Sequence, residues 1–356
     1  MGQKKETNKK NSPKIIGKQS VKFENPIYII AASSVAGKKE GEGPLGSMFD
    51  IVEEDHMVGE KTWEEAESQL IKKAAEKAIE KAGLSNDDIR YIIGGDLLGQ
   101  LIGTSFGIAD LGVPVLGVFG ACSTMGEAMS IGSIIVDGGY ADKIMAITSS
   151  HFAGAEKQFR FPLDYGNQRP YSASWTVTGS GAVIISKDKG EDKSSANHVV
   201  IRGITTGKII DFGIKDPMNM GAAMTPAAFD TIKQNLEDMN LRPDYYDKII
   251  TGDLGDVGRN ILIDMLREEN YQVDKDLIMD CGVEIYDKDS QDTHTGGSGC
   301  ACCAITFTAY VMKQLQQNKW KRILFVPTGA LLSKVSSNLG QTIPSIAHAV
   351  MVESVG

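Results

Sequence analysis

KAGLSNDDIRYIIGGDL, residues 81–97, lies over DMNLRPDYYDKIITGDL, residues 238–254, with Leu84 against Leu241 and Asp96 against Asp253. Each copy reads as the end of a helix, a polar turn, a short apolar strand and a Gly-Asp-Leu exit. A match at that separation marks a duplicated domain half. Upstream of the first copy, Thr62-Trp63-Glu64-Glu65 has capping-box spacing, Ala66, Leu70, Ala74 and Ala78 form an apolar face, and Gly83 closes the helix. Upstream of the second, Lys233–Met239 continues a helix after Pro226, and Lys248–Ile250 is the strand. Ala141–Thr148 and Lys321–Thr328 are strands in corresponding places, preceded by apolar helices at Ser123–Val136 and Cys302–Gln314. Alternating strands and helices in both halves predict mostly parallel α/β sheets covered on both faces. Ile27–Ala32 reads as a buried first strand, residues 33–60 as a long loop, and Lys187–Ala196 as the polar linker between halves.

With 356 residues the chain has room for two domains or one duplicated unit. Apolar residues at 42% and charged residues at 23% exclude wholesale disorder and a fibrous repeat. A formal net charge of -9 argues against a body that grips nucleic acid. Residues 1–22 nevertheless carry Lys4, Lys5, Lys9, Lys10, Lys14, Lys18 and Lys22 against Glu6 alone. Without an apolar run, this reads as a basic disordered arm, neither a secretory signal nor a membrane span. No stretch, Leu97–Gly126 included, reaches the roughly 18–20 apolar residues of a spanning helix, so the isolated chain is expected to be soluble. No G-x-x-x-x-G-K-[ST] loop is present, and the chain cannot by itself drive a solute across a bilayer. The cysteines (122, 281, 300, 302 and 303) are odd in number and crowded, poor geometry for a disulfide framework. The expected domains are the arm 1–22, an N-terminal half 23–190 and a C-terminal half 191–356.

Cys122 lies where the strand-like Val115–Phe119 turns through Gly120-Ala121 into the helix opening at Ser123. A thiol there meets the positive end of a helix dipole, which lowers its pKa from about 8.5 toward neutrality and offers donors for an oxyanion. The plainer reading is a small buried filler. Cys300, Cys302 and Cys303 lack paired C-x-x-C spacing and a nearby histidine pair, so small packing residues are preferred there over a zinc site.

GPLGSMFD (43–50), GGDLLGQ (94–100), FGACSTMGEAM (119–129), SSHFAGAEKQFRFP (149–162), VTGSGAV (177–183), GGSGCACCA (296–304), PTGALLS (327–333) and IPSIAHAV (343–350) resemble the thiolase superfamily, including ketoacyl synthases. More narrowly, the series resembles the stage V sporulation protein AD family of spore-forming Firmicutes. The resemblance spans nearly the whole chain from Val21. It implies a duplicated αβαβα five-layer sandwich, a homodimer, and binding of dipicolinic acid (pyridine-2,6-dicarboxylate) or its calcium chelate for uptake into the developing spore. It also implies a part in spore germination, and a peripheral place at the spore inner membrane with other proteins of the stage V sporulation A operon.

Departures from the condensing-enzyme pattern argue against catalysis. Where the superfamily places a His after the first strand of the second half, this chain has Thr251-Gly252-Asp253-Leu254. Near the following glycine turn, Gly stands where Asn is expected, with His294 ahead of it. A cysteine alone cannot stabilise a developing enolate, so Cys122 is a vestigial candidate. The enzyme-class rival is an acyltransferase or condensing enzyme using Cys122. A third reading is a scaffold of a spore inner-membrane complex, its arm touching anionic lipid.

For ligand binding the resemblance points to Asp96, Cys122, Ser123, Thr124, His151, Arg160, Gly296, Gly297 and Ser298, with Gln158, Asp253 and His294 as weaker candidates. Asp96 and Asp253 follow strand ends, where α/β sheets open ligand crevices, although an Asp there is often only a turn residue. Arg160 can pair bidentately with a carboxylate or hold an internal acid. Phe119 or Phe161 can stack on a pyridine ring. An Asp beside a dicarboxylate requires a bridging calcium or a proton. No cofactor and no resident metal are expected, calcium entering only as part of the chelate.

Overall fold

The duplicated exits end two short strands whose apolar residues point alternately to opposite faces, Ile92 and Ile93 in the first half, Ile249 and Ile250 in the second. The computed structural model describes residues 14–158, 163, 168–190 and 197–356. Arg160, Phe161, residues 1–13 of the arm and residues 191–196 of the expected linker lie outside the described residues.

In chain order the strands are β1 (Ile15–Ile16), β2 (Ser20–Gly37), β3 (Ile51–Glu53), β4 (Tyr91–Gly95), β5 (Val115–Gly117), β6 (Lys143–Ser150), β7 (Trp175–Thr176) and β8 (Gly179–Ser186). The second half supplies β9 (His198–Thr205), β10 (Lys248–Thr251), β11 (Ile278–Asp280), β12 (Gly297–Ser298), β13 (Arg322–Val326), β14 (Thr328–Ala330), β15 (Ser345–Ala347) and β16 (Ala349–Val355). The main sheet runs β11-β10-β13-β16-β9-β2-β8-β6-β4-β5. Read outward from the β2–β9 contact, the two halves have the same order and the same strand directions. In each, the last strand (β8 or β16) is antiparallel to its neighbours, while the outer three are parallel. The duplication is thus a pseudo-twofold about the antiparallel β2–β9 pair, where the two halves join edge to edge.

Strand alternation builds three cores. Ile92, Ile147 and Ile184 pack with Leu70, Ile71 and Ala74 of the Trp63–Ala82 helix on one outer face. Ile249, Leu324 and Met351 pack with the Met220–Met239 and Gly255–Glu268 helices on the other. Between them, Ile93, Ile185, Ile250 and Phe325 from both halves enclose Met125, Met129, Cys303 and Phe307 of two central helical segments. Helix, sheet, central helices, sheet, helix make five layers. Each fully buried Leu, Ile, Met or Phe contributes roughly 1.5–3 kcal/mol by leaving water.

The sequence reading holds at the Trp63–Ala82 helix, which has the Thr62/Glu65 capping box and an αL Gly83. It needs correction at the first strand. β2 is far longer than Ile27–Ala32, and residues 33–60 are not one loop: β2 continues to Gly37, a short helix follows at Lys38–Gly41, and β3 pairs parallel with β2. Ser33 and Ser34 read as loop residues, yet both are buried in the strand. The Ser33 hydroxyl donates to the Ala74 carbonyl at 2.6 Å and the Ser34 N–H to Asp50 at 2.9 Å. Pro26 is tolerated because the β2–β9 register shifts between Lys22 and Ile27. The expected arm also gives way to structure from residue 14: β1 pairs with β2, and the Lys18 and Gln19 N–H groups donate to Asp238. The central helix of the second half begins at Cys300 rather than Cys302 and passes through a π-helical turn at Phe307–Val311. Among the described residues no helix is long and apolar enough to cross a membrane.

Candidate functional site

Cys122 sits in a tight turn after β5, between Ala121, which adopts φ +50°, and the Thr124–Asp137 helix. The turn spends the hydroxyls that follow it. Ser123 Oγ donates to the Gly120 carbonyl at 2.7 Å, and Thr124 Oγ1 donates to Ala121 O at 2.6 Å while accepting the Gly120 N–H. Both residues are wholly buried and neither lines the adjoining cavity. Gly329 of β14 backs the turn, for a Cβ there would stand 2.1 Å from Gly120 O and 3.0 Å from the Cys122 nitrogen. The expected drop in thiol pKa does not occur. Burial pushes Cys122 well above its ordinary value, and the nearby Asp253 carboxylate adds to the rise.

The groups opposite the thiol come from the second half. Ser298 Oγ lies 3.9 Å from Cys122 Sγ and donates to Asp253 Oδ2 at 2.6 Å; the Gly299 N–H reaches the same oxygen at 3.2 Å. Asp253 Oδ1 is buried without a hydrogen-bond partner. Burial raises Asp253 to about 7, against the hydrogen bonds that hold its charge. Gly299 must be glycine here: its φ is +104°, and a Cβ would meet Ser150 Oγ at 2.8 Å. The neighbouring thiols act as donors to carbonyls, Cys300 to Ala121, Cys302 to Gly252 and Cys303 to Cys122.

Cys122, Ser298 and Gly299 line a cavity of about 290 Å³, near the lower end of the roughly 300–1,000 Å³ usual for small-molecule sites. Glu156, Gln158, Ser174 and Thr176 add polar groups, and Leu97, Phe119, Met218, Met220 and Leu332 give apolar surface. Thr176 Oγ1 donates to Glu156 Oε1 at 2.7 Å. Among the described lining residues there is no Lys, Arg or His.

The other candidates fall elsewhere. Asp96 is wholly buried: Oδ1 accepts the Leu98 N–H at 2.8 Å, and Oδ2 accepts the Thr104 N–H at 2.7 Å and its hydroxyl at 2.6 Å. Those bonds use the carboxylate to fix the loop, and only its neighbour Leu97 reaches the cavity. His151 Nε2 bonds the His56 carbonyl at 2.8 Å, and burial lowers its pKa. His294 is held away from the cavity between Pro170 O at 2.8 Å and Asp292 at 3.1 Å. Gly296 and Gly297 form the backbone leading to Ser298, where β12 pairs with β7, and Asp253 stands behind Ser298. Gln158 is on the wall, its amide 3.4 Å from Leu97 O. Sequence reasoning missed Glu156, Ser174, Thr176 and the Pro217–Met220 segment. Glu156 was reachable, two residues before Gln158; the others carry no periodic or motif signal.

The model of the family described as stage V sporulation protein AD (SpoVAD) matches residues 17–353. The stage V sporulation protein AD of Bacillus subtilis (strain 168) is 46% identical over 343 residues, which is 96% of this chain and 99% of that protein. Among solved structures, 3-oxoacyl-[acyl-carrier-protein] synthase III of Aquifex aeolicus VF5 superposes with a TM-score of 0.53 at 16% identity, over 92% of this chain and 99% of that one. Cerulenin-bound OleA of Xanthomonas campestris gives 0.55 at 15% identity, over 94% and 98%. These two likenesses establish a thiolase-like fold.

Proposed function

Since the chain belongs to the stage V sporulation protein AD family of sporulation proteins, we propose that its cavity binds dipicolinic acid as the calcium chelate, without chemical change, to support uptake into the developing spore. The observation that carries the non-catalytic reading is the company of Cys122: a hydroxyl and a carboxyl, Ser298 and Asp253. Acyl transfer needs a thiolate, and here burial and a neighbouring acid both oppose its formation. An enolate needs donors, and the hydroxyl opposite the thiol, that of Ser298, is already given to Asp253.

The chelate suits this wall better than the free dianion. Two more carboxylates beside Asp253, in a site of hydroxyls and acidic oxygens, are repelled unless they bring their own cation; calcium is hard and oxygen-seeking, and its one-to-one chelate is neutral. Phe119 offers a ring face at the mouth, and Arg160 remains the proposed partner of a ligand carboxylate. Equilibrium dialysis against pyridine-2,6-dicarboxylate, with calcium and with a calcium chelator, tests this reading. Retention that depends on calcium supports it; no retention in either arm overturns it. Intact-mass detection of an acyl group on Cys122 after exposure to an acyl thioester supports the condensing-enzyme rival instead.

The same reading includes a homodimer and a peripheral place at the spore inner membrane beside other proteins of the operon. β5 is an edge strand with exposed Val115 and Leu116, and Phe119 is half exposed at the cavity. A second copy pairing along β5 covers all three. A monomer by light scattering, unchanged by Leu116→Lys, contradicts the dimer; failure of the full chain to float with membranes bearing the operon proteins contradicts the membrane association.

A further inference from the structure

Glu67 lies on the inner face of the Trp63–Ala82 helix, in line with Leu70, Ile71 and Ala74, and is wholly buried. Ser149 Oγ donates to its Oε1 at 2.8 Å, while Oε2 is buried with no hydrogen-bond partner. The Asp96 carboxylate is its neighbour. A Cβ at Gly103 would stand 3.3 Å from Glu67 Cδ and 3.4 Å from Asp96 Oδ2, so both acids close on this glycine. Burial raises the Asp96 carboxyl, and the three hydrogen bonds that it accepts, from Leu98 and from both donors of Thr104, oppose that rise and favour its charged form.

Among the described residues, the surrounding groups supply no counter-charge to the free oxygen. Glu64, on the same helix, is paired with the Lys157 ammonium. The His151 ring is tied to His56 O and driven toward neutrality by burial. The Cys300 thiol donates to Ala121 O. Two adjacent buried carboxyls with no cation keep one proton between them.

We propose that Glu67 holds that proton and so acts as a positioning residue: the neutral Glu67 and anionic Asp96 together fix the Asp96–Thr104 loop and the Leu97 wall of the cavity. Gln158, also on the wall, approaches the Leu97 carbonyl and shares its fate. Burial first and Asp96 second push the Glu67 carboxyl up to about 8. Loss of the proton sets two anions against each other, loosens the loop and weakens ligand binding as pH rises. This rests on the cavity being the dipicolinate site, and its test separates the two ideas.

Affinity for calcium dipicolinate and the melting temperature of the free protein are measured from pH 6 to 9.5 in the native chain and in Glu67→Gln. The glutamine keeps shape and polarity but cannot ionise. Native affinity should fall about fivefold between pH 8 and 9 beyond any fall shared with the variant, since only the protonated fraction is competent. The melting temperature should fall between pH 6 and 8 more steeply in the native chain than in the variant, which keeps only the shared titration of Asp253. Superimposable pH profiles for both proteins in both measurements overturn the proposal. If no ligand binds at any pH, the binding reading fails and the melting profiles still decide the pair. Should Glu67→Gln not fold, infrared spectroscopy of the native chain decides: a protonated-carboxyl band that persists above neutrality and vanishes near pH 8 supports the proposal, and its absence at pH 7 overturns it.

Discussion

Asp96 and Asp253 end equivalent strands of the two halves, yet they differ in what their oxygens do. Asp96 has both oxygens engaged by its own loop. Asp253 spends one oxygen on Ser298 and Gly299 and leaves the other bare, beside Cys122. The difference is made possible by Asp280 at the end of β11. Its carboxylate accepts from the Thr251 hydroxyl and from the N–H groups of Leu254, Gly255 and Val283. In the second half a different aspartate therefore holds the loop, and Asp253 is released to stand behind Ser298 and Gly299 of the cavity wall. Duplication supplied two similar exits, and exchange of the loop-holding partner made them unequal.

The largest effect should come from Asp96→Ala. It strands the buried Leu98 and Thr104 donors, and unfolding by urea should show a loss of at least about 3 kcal/mol. A loss under about 1 kcal/mol breaks the contrast. Asp253→Asn should have the opposite sign at alkaline pH. A carboxyl raised to about 7 in the fold gives stability that is full below its unfolded pKa near 4 and lost as pH rises through about 7. The asparagine variant should lack that loss and be more stable than the native chain at pH 8, by on the order of 2 kcal/mol. Equal urea midpoints at pH 5 and pH 8 in the native chain contradict it. Ser298→Ala removes one donor to Asp253 and should cost about 1 kcal/mol at pH 8, where Asp253 is charged. Smallest in stability but sharp in chemistry, Cys122 should be alkylated far more slowly in the folded chain at pH 8 than an exposed thiol, the rate still rising beyond pH 9. Fast labelling at neutral pH points to a thiolate and reopens the catalytic reading.

How far the sequence carried depended on where each residue's partner lies. The doubled run at 81–97 and 238–254 exposed the two halves because strand, turn and aspartate are neighbours in the chain. The Cys122 turn and Ser298 were legible for the same reason, glycines standing beside them. β2 was cut short because the buried Ser33 finds its acceptor at Ala74, in the Trp63–Ala82 helix. The fifth, antiparallel strand of each half and the edge-to-edge joining of the halves depend on pairings that no local pattern encodes. Asp96 was preferred to Asp253 as a ligand candidate, although Asp253 is the one beside Cys122, since their distinguishing partners, Thr104 and Ser298, are set by the fold. Glu67 passed as one more polar helix residue, although its spacing from Ile71 and Ala74 placed it on the buried face.

The most direct test of the central claim, a condensing-enzyme fold used for recognition alone, is calorimetric titration with calcium dipicolinate at pH 6.5, followed by chemical analysis of the recovered ligand. Saturable binding that weakens when calcium is withheld is expected, with the ligand returned unchanged and Cys122 unmodified. No heat with the chelate or the free acid, together with acylation of Cys122 by a thioester, would contradict it.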